Sequence, residues 1–81
     1  MAYTLLTRSY CHLCDEMQRD LLPYVAAMGP LEVVDVDATP ELEERFGELV
    51  PVLLRDGVEV CHYVLDRSAL ETSLEEPSGS A

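Results

Sequence analysis

Apolar and polar positions change period along this chain in an order that predicts its elements. Tyr3 to Thr7 is a short, mostly apolar run that reads as a strand. From Cys11 onward Leu13, Met17, Leu21, Val25 and Met28 recur every three or four residues, the spacing of one buried helix stripe. Gly29-Pro30 stops that helix. Pro23 falls inside the pattern and removes a backbone donor, which predicts either a kink or a break and restart. Leu31 to Asp37 reads as a second strand, with Val33, Val34 and Val36 supplying β-branched bulk, and a helix between two strands implies that they pair in parallel.

Thr39-Pro40 reads as an N-cap followed by proline at the first helical position, with Leu42, Phe46 and Leu49 facing inward and Gly47 placed to end the helix. Val50-Pro51 leads into an apolar strand, Val52 to Arg55, whose start accommodates a proline. Asp56-Gly57 is the two-residue signal of a tight hairpin, so Val58 to Tyr63 should return antiparallel. Asp66 caps a final helix, Leu65 and Leu70 stand at the spacing of a hydrophobic staple, and Leu74 continues the face. The order is β-α-β-α-β-β-α. At 81 residues the chain is one domain. It is assigned to residues 1–76, and the tail 77–81, without an apolar anchor, is expected to be mobile.

Charge narrows the choice of partners. The chain carries 5 basic and 16 acidic residues, a net −11, which argues against nucleic acid and against anionic membrane surfaces. Proteins with basic faces are the expected partners. The acidity itself is most simply a solvated surface, since Glu41, Glu43, Glu44 and Glu48 share one predicted helix and Glu71, Glu75 and Glu76 close the last. No apolar run approaches the ~20 residues of a membrane span, and Met1 to Leu6 does not look like a leader. Three cysteines, two of them closely paired, suit a reducing compartment better than a secreted disulfide scaffold. A cytoplasmic protein acting as a monomer is the expectation.

The candidate chemistry is Cys11-His12-Leu13-Cys14, two thiols separated by two residues where the first strand gives way to the first helix. The first helical turn presents unpaired N–H groups and the positive end of the helix dipole, which stabilise a thiolate. A partner three residues on lies on nearly the same face and can close a ring. The same spacing suits zinc. A Cys₃His set from Cys11, Cys14, Cys61 and His62 or His12 is the alternative, and an iron–sulfur cluster bridged between two chains is a further one. Structural zinc modules place paired ligands in compact turns, whereas this pair opens a long amphipathic helix, so a redox site is preferred.

With Tyr10-Cys11-His12-Leu13-Cys14, Val50-Pro51 and the Asp56-Gly57 hairpin in this order, the chain resembles the glutaredoxin-like branch of the thioredoxin superfamily from Tyr3 to about Leu74. Its motifs are similar to those of small bacterial glutaredoxin-like proteins. The resemblance implies an α/β, three-layer thioredoxin-like fold with a mixed four-stranded sheet, and a thiol-disulfide oxidoreductase. It implies Cys11 as the attacking thiol, Cys14 as the resolving thiol and Pro51 as a cis proline facing them, with the Val50 backbone turned toward a substrate. A cis bond is accessible there because it precedes proline. No bound cofactor is implied. Electrons would come from glutathione or a thioredoxin-reductase-type system, and the substrates would be disulfide-bearing proteins, with glutathione as a second candidate.

Around the cysteines, Arg8, Tyr10, His12, Leu13, Val50, Pro51 and Asp66 are the expected substrate-binding residues. Arg8 takes the place of a lysine that many glutaredoxins carry, Leu49-Val50-Pro51 replaces Thr-Val-Pro, and Cys61 to Asp66 lacks the usual Gly-Gly. The glutathione cradle is therefore incomplete. His12 either stabilises the thiolate or points to water. Asp15 and Glu16 suit the helix dipole but oppose a thiolate. Tyr10 either flanks substrate or is a solvent-edge aromatic, and Cys61 is read as a small strand residue without chemistry. His62 and Tyr63 are read as sheet-face or strand-end residues.

Overall fold

Two of the chain's strands are buried on both faces, and they become the centre of the sheet. Strands β1 (Tyr3–Thr7), β2 (Leu31–Asp35), β3 (Val52–Arg55) and β4 (Val58–His62) form one sheet in the order β2-β1-β3-β4. The computed structural model describes residues 2–75. β1 pairs parallel with β2, Leu5 opposite Val33, and antiparallel with β3, Leu5 opposite Leu53 and Leu6 opposite Val52. β3 pairs antiparallel with β4, with a register shift that sets Leu53 opposite Cys61 and Leu54 opposite Glu59, leaving Val60 as the extra residue of a bulge.

The two faces are covered by different helices. Helices α1 (His12–Leu21), α2 (Val25–Met28) and α4 (Arg67–Glu75) bring Met17, Leu21, Met28 and Leu70 against Tyr3, Leu5, Leu53 and Cys61. Helix α3 (Pro40–Phe46) covers the opposite face, where Leu6, Val36, Val52 and Leu54 meet Leu42, Phe46 and Leu49. This gives three layers around a mixed sheet. Each fully buried leucine or methionine contributes about 1.5–3 kcal/mol against remaining in water.

Several predicted boundaries move, each for a local reason. Pro23 breaks the first helix outright: α1 ends at Leu21, a 3₁₀ turn spans Leu22–Tyr24, and α2 restarts at Val25. The buried stripe keeps its phase across the turn and runs through Cys14, Met17, Leu21 and Met28, which leaves Leu13 and Val25, one position before Cys14 and four after Leu21, at its exposed edge. β2 stops at Asp35 rather than Asp37, because the Asp35 carboxylate accepts from the Asp37 N–H at 2.8 Å and closes a 3₁₀ turn, Val36–Ala38. β4 stops at His62, and Tyr63 adopts a positive φ of 67°. Thr39 precedes α3 without a side-chain cap; its carbonyl accepts from the Leu42 and Glu43 N–H groups instead.

Gly47 is not a left-handed terminator, since its φ is −55°. What it supplies is close approach: a Cβ there would lie 2.5 Å from the Glu43 carbonyl oxygen. The hairpin turn has φ of 51° at Asp56 and 86° at Gly57, the pair of positive values that a tight type I′ turn requires. Asp66 Oδ1 accepts from the Ala69 N–H at 3.0 Å and caps α4, and Leu65 packs against the cluster that buries Leu70. The expected mobile tail, 77–81, lies outside the described residues.

Candidate active site

Register alone brings the chemistry to one end of the sheet. Leu6 faces Val52 and Val52 faces His62, so the end of β1, the start of β3 and the end of β4 coincide there. Cys11 follows β1 by four residues, and Pro51 immediately precedes β3.

Cys11 is the N-cap of α1, with extended φ −100° and ψ 106°. Its Sγ accepts from the Cys14 N–H at 3.1 Å, and its carbonyl accepts from the Asp15 N–H at 3.3 Å. The sulfur thus occupies the position an N-cap oxygen takes elsewhere, and the same N–H would stabilise a thiolate once the bond is reduced. Cys11 and Cys14 are joined as a disulfide with Cα atoms 5.2 Å apart. Cys14 is buried at 2% exposure, whereas Cys11 is partly open to solvent. One thiol of the pair is accessible and the other is shielded.

The Val50–Pro51 peptide bond is cis. Pro51 is buried, and its carbonyl accepts from the Tyr63 N–H at 2.9 Å, tying the segment after β4 to the segment before β3. The Tyr63 hydroxyl in turn donates to the Glu48 carbonyl at 3.2 Å. Val50 is half-buried against the α3 face of the sheet.

Arg8 is held by acceptors within the fold. Its Nε donates to Asp37 Oδ1, its Nη1 to the Gly47 carbonyl and its Nη2 to Glu43 Oε1, each at 3.0 Å. The two carboxylates hold the guanidinium still more firmly in its charged form. The cation expected to meet glutathione is therefore engaged within the fold. Asp66 is similarly occupied, with one carboxylate oxygen on the α4 N-terminus. His12 lies largely in solvent, with Nε2 3.9 Å from Glu16 Oε2, an exposed pair of little energetic weight. Tyr10, at φ 60°, projects fully into solvent, and Leu13 is exposed beside it in sequence.

Cys61 lies within the core cluster shared with Leu5, Met17 and Leu70. Burial pushes its thiol above the ordinary value, only partly offset by the Asp66 backbone N–H. His62, by contrast, has Nδ1 2.8 Å from Glu59 Oε2. The Cys₃His set is thus not assembled, and no group of three or more His, Cys, Asp or Glu among the described residues is arranged to hold a metal ion. Sequence reading did not anticipate Asp37, Glu43 and Gly47 as partners of Arg8, or Tyr63 as a brace for Pro51. Their sequence separations carry no periodic signal.

A strand-to-helix turn presenting a C-x-x-C disulfide, on a mixed four-stranded sheet covered on both faces, defines a thioredoxin-like α/β fold of the glutaredoxin-like class. The chain belongs to the family described as "Glutaredoxin-like domain (DUF836)", whose model matches residues 3–75. A Nitrosomonas europaea protein solved by solution NMR is 31% identical and superposes with a TM-score of 0.80, covering 91% of each chain. An X. campestris structural-genomics target solved by X-ray is 34% identical with a TM-score of 0.72, covering 93% of this chain and 99% of that one. Uncharacterised proteins of Mycobacterium bovis and Mycobacterium tuberculosis are each 30% identical over 76 residues, covering 86% of this chain and 78% of theirs. Among the described residues no helix is long and apolar enough to cross a membrane.

Proposed function

We propose that the protein is a dithiol disulfide oxidoreductase that reduces disulfides of proteins or small molecules. The observation that carries this reading is the asymmetric pair: a partly exposed Cys11 whose sulfur receives a backbone N–H, bonded to a buried Cys14 one helical turn on. In the reduced state the Cys11 thiolate attacks one sulfur of the target disulfide, forming a mixed disulfide and expelling the other target sulfur, which takes up a proton. Cys14 then loses its proton and attacks Cys11, closing the Cys11–Cys14 bond and releasing the second target sulfur as a thiol. Two electrons and two protons pass to the target. An external thiol donor reverses the change, and such a cycle fits a reducing compartment such as the cytoplasm.

For the donor, a thioredoxin-reductase-type system is preferred over glutathione, because Arg8 is committed to Asp37, Glu43 and Gly47. Val50, Pro51, Tyr10 and Leu13 remain the substrate-facing residues of this proposal. The test is trapping. Cys14→Ser should accumulate a mixed disulfide through Cys11, identified by mass mapping, and Cys11→Ser should abolish reduction. Loss of activity in neither variant would defeat the proposal, as would stoichiometric zinc with thiols that resist oxidation.

A further inference from the structure

The end of the sheet that carries Cys11 also carries exposed apolar side chains. Tyr10, the residue before Cys11, is held at φ 60°, a conformation that disfavours residues with a Cβ, and its ring stands fully in solvent. Val64 is 65% exposed and directly follows Tyr63, whose N–H is fixed to Pro51 and whose own ring is 44% exposed. Leu13, inside the motif, is also exposed. These side chains stand at the end of the sheet that carries both cysteines, where a substrate must approach.

Cations near the same end are engaged or outnumbered. The chain has 5 basic residues, all arginine. Arg8 is tied to Asp37, Glu43 and the Gly47 carbonyl. Arg19 sits in the last turn of α1 and Arg55 closes β3, both remote from the cysteine end. Arg45 lies over the Phe46 ring and shares a surface depression with Glu43, Glu44 and Glu48, three acids to one cation, and Arg67 lies over Tyr24 and donates to its hydroxyl. Asp15 and Glu16 follow Cys14 directly, and Glu48 adjoins the Tyr63 brace, all with carboxylates open to solvent or partly so.

We infer that the preferred substrate is a disulfide carried on a cationic polypeptide segment with apolar residues beside the cystine, and that anionic glutathione disulfide is disfavoured. This rests on the redox reading above and adds its substrate class. An acidic surface accelerates approach of a cationic partner and slows an anionic one, over a range of ~8–10 Å at physiological salt. The apolar collar then gains from covering aliphatic or aromatic neighbours of the cystine.

The experiment measures second-order rate constants of the reduced protein with four disulfides: a peptide with Lys and Leu flanking the cystine, its Glu and Leu counterpart, glutathione disulfide, and neutral 2-hydroxyethyl disulfide. The Lys peptide should react at least ~10-fold faster than the Glu peptide at low ionic strength, with the gap shrinking as salt is added. The double variant Asp15→Asn, Glu48→Gln should narrow that ratio, and Tyr10→Ser should slow the Lys peptide. Equal rates for the two peptides, or faster reaction with glutathione disulfide, would overturn the inference while reduction of the neutral disulfide leaves the redox reading standing. No reduction of any disulfide would remove both.

Discussion

Arg8 Nη1 donates to the Gly47 carbonyl at 3.0 Å, fastening the segment that leads into Cys11 to the one that leads into Pro51. Asp37, in the turn after β2, and Glu43, on α3, complete the clamp, so that three acceptors from three successive segments converge on one guanidinium. A planar fork suits this arrangement, and a lysine ammonium cannot reach all three in the same geometry.

Arg8→Ala should therefore lower the melting temperature, and Arg8→Lys should recover only part of the loss. Added salt should shrink the wild-type advantage, because the clamp is partly exposed and its ionic component is screened. Thermal denaturation of the three proteins at low and high salt checks this. An unchanged melting temperature in Arg8→Ala would show that the clamp does not stabilise the fold.

Gly47→Ala should be destabilising by about 1–3 kcal/mol, since the new methyl would stand 2.5 Å from the Glu43 carbonyl oxygen and 3.1 Å from Arg8 Nη2. Ordinarily alanine is favoured over glycine near a helix, so a stabilising outcome in a denaturant titration would contradict the close approach seen here.

Tyr3 and Ser73 link β1 to α4 through buried hydroxyls 2.6 Å apart. Because the Ser73 hydroxyl donates to the Leu70 carbonyl at 2.7 Å, Tyr3 is the donor to Ser73. Tyr3→Phe should cost ~0.5–1.5 kcal/mol in chemical denaturation, whereas Ser73→Ala, which strands the buried phenol, should cost ~1–3 kcal/mol.

Cys61 should be silent toward iodoacetamide in the folded protein and react at the ordinary rate once unfolded. Burial raises its thiol above the ordinary value, so the folded state holds the proton more tightly than the unfolded chain. That contribution is complete below the unfolded value and is lost as pH rises toward the folded one, giving a fall in stability on the alkaline side. Cys61→Ala should lose some packing yet flatten that alkaline slope, which denaturant titrations across pH will show.

In the reduced protein Cys11 should alkylate faster than Cys14 at neutral pH. Exposure favours it, and the Cys14 N–H supports its thiolate. Peptide mapping after brief labelling distinguishes the two, and equal rates would remove the asymmetry on which the exchange direction depends.

Local signals determined much of this protein. Proline and glycine punctuation, the Asp-Gly turn, the Asp66 cap and the placement of C-x-x-C at a strand-to-helix junction act through backbone geometry within a few residues, so the element order and the presence of a paired-thiol site are legible along the chain. Which apolar residues of the first helix face inward, Met17, Leu21 and Met28 but not Leu13 or Val25, depended on how the pieces pack against the sheet. Tertiary structure alone decided the fate of Arg8: nearness to Cys11 in sequence suggests a substrate cation, but Asp37, Glu43 and Gly47 arrive from 29 to 39 residues away and claim it. Long-range polar partners follow no period and obey no local rule. They become visible only when strand register brings distant segments to the same end of the sheet.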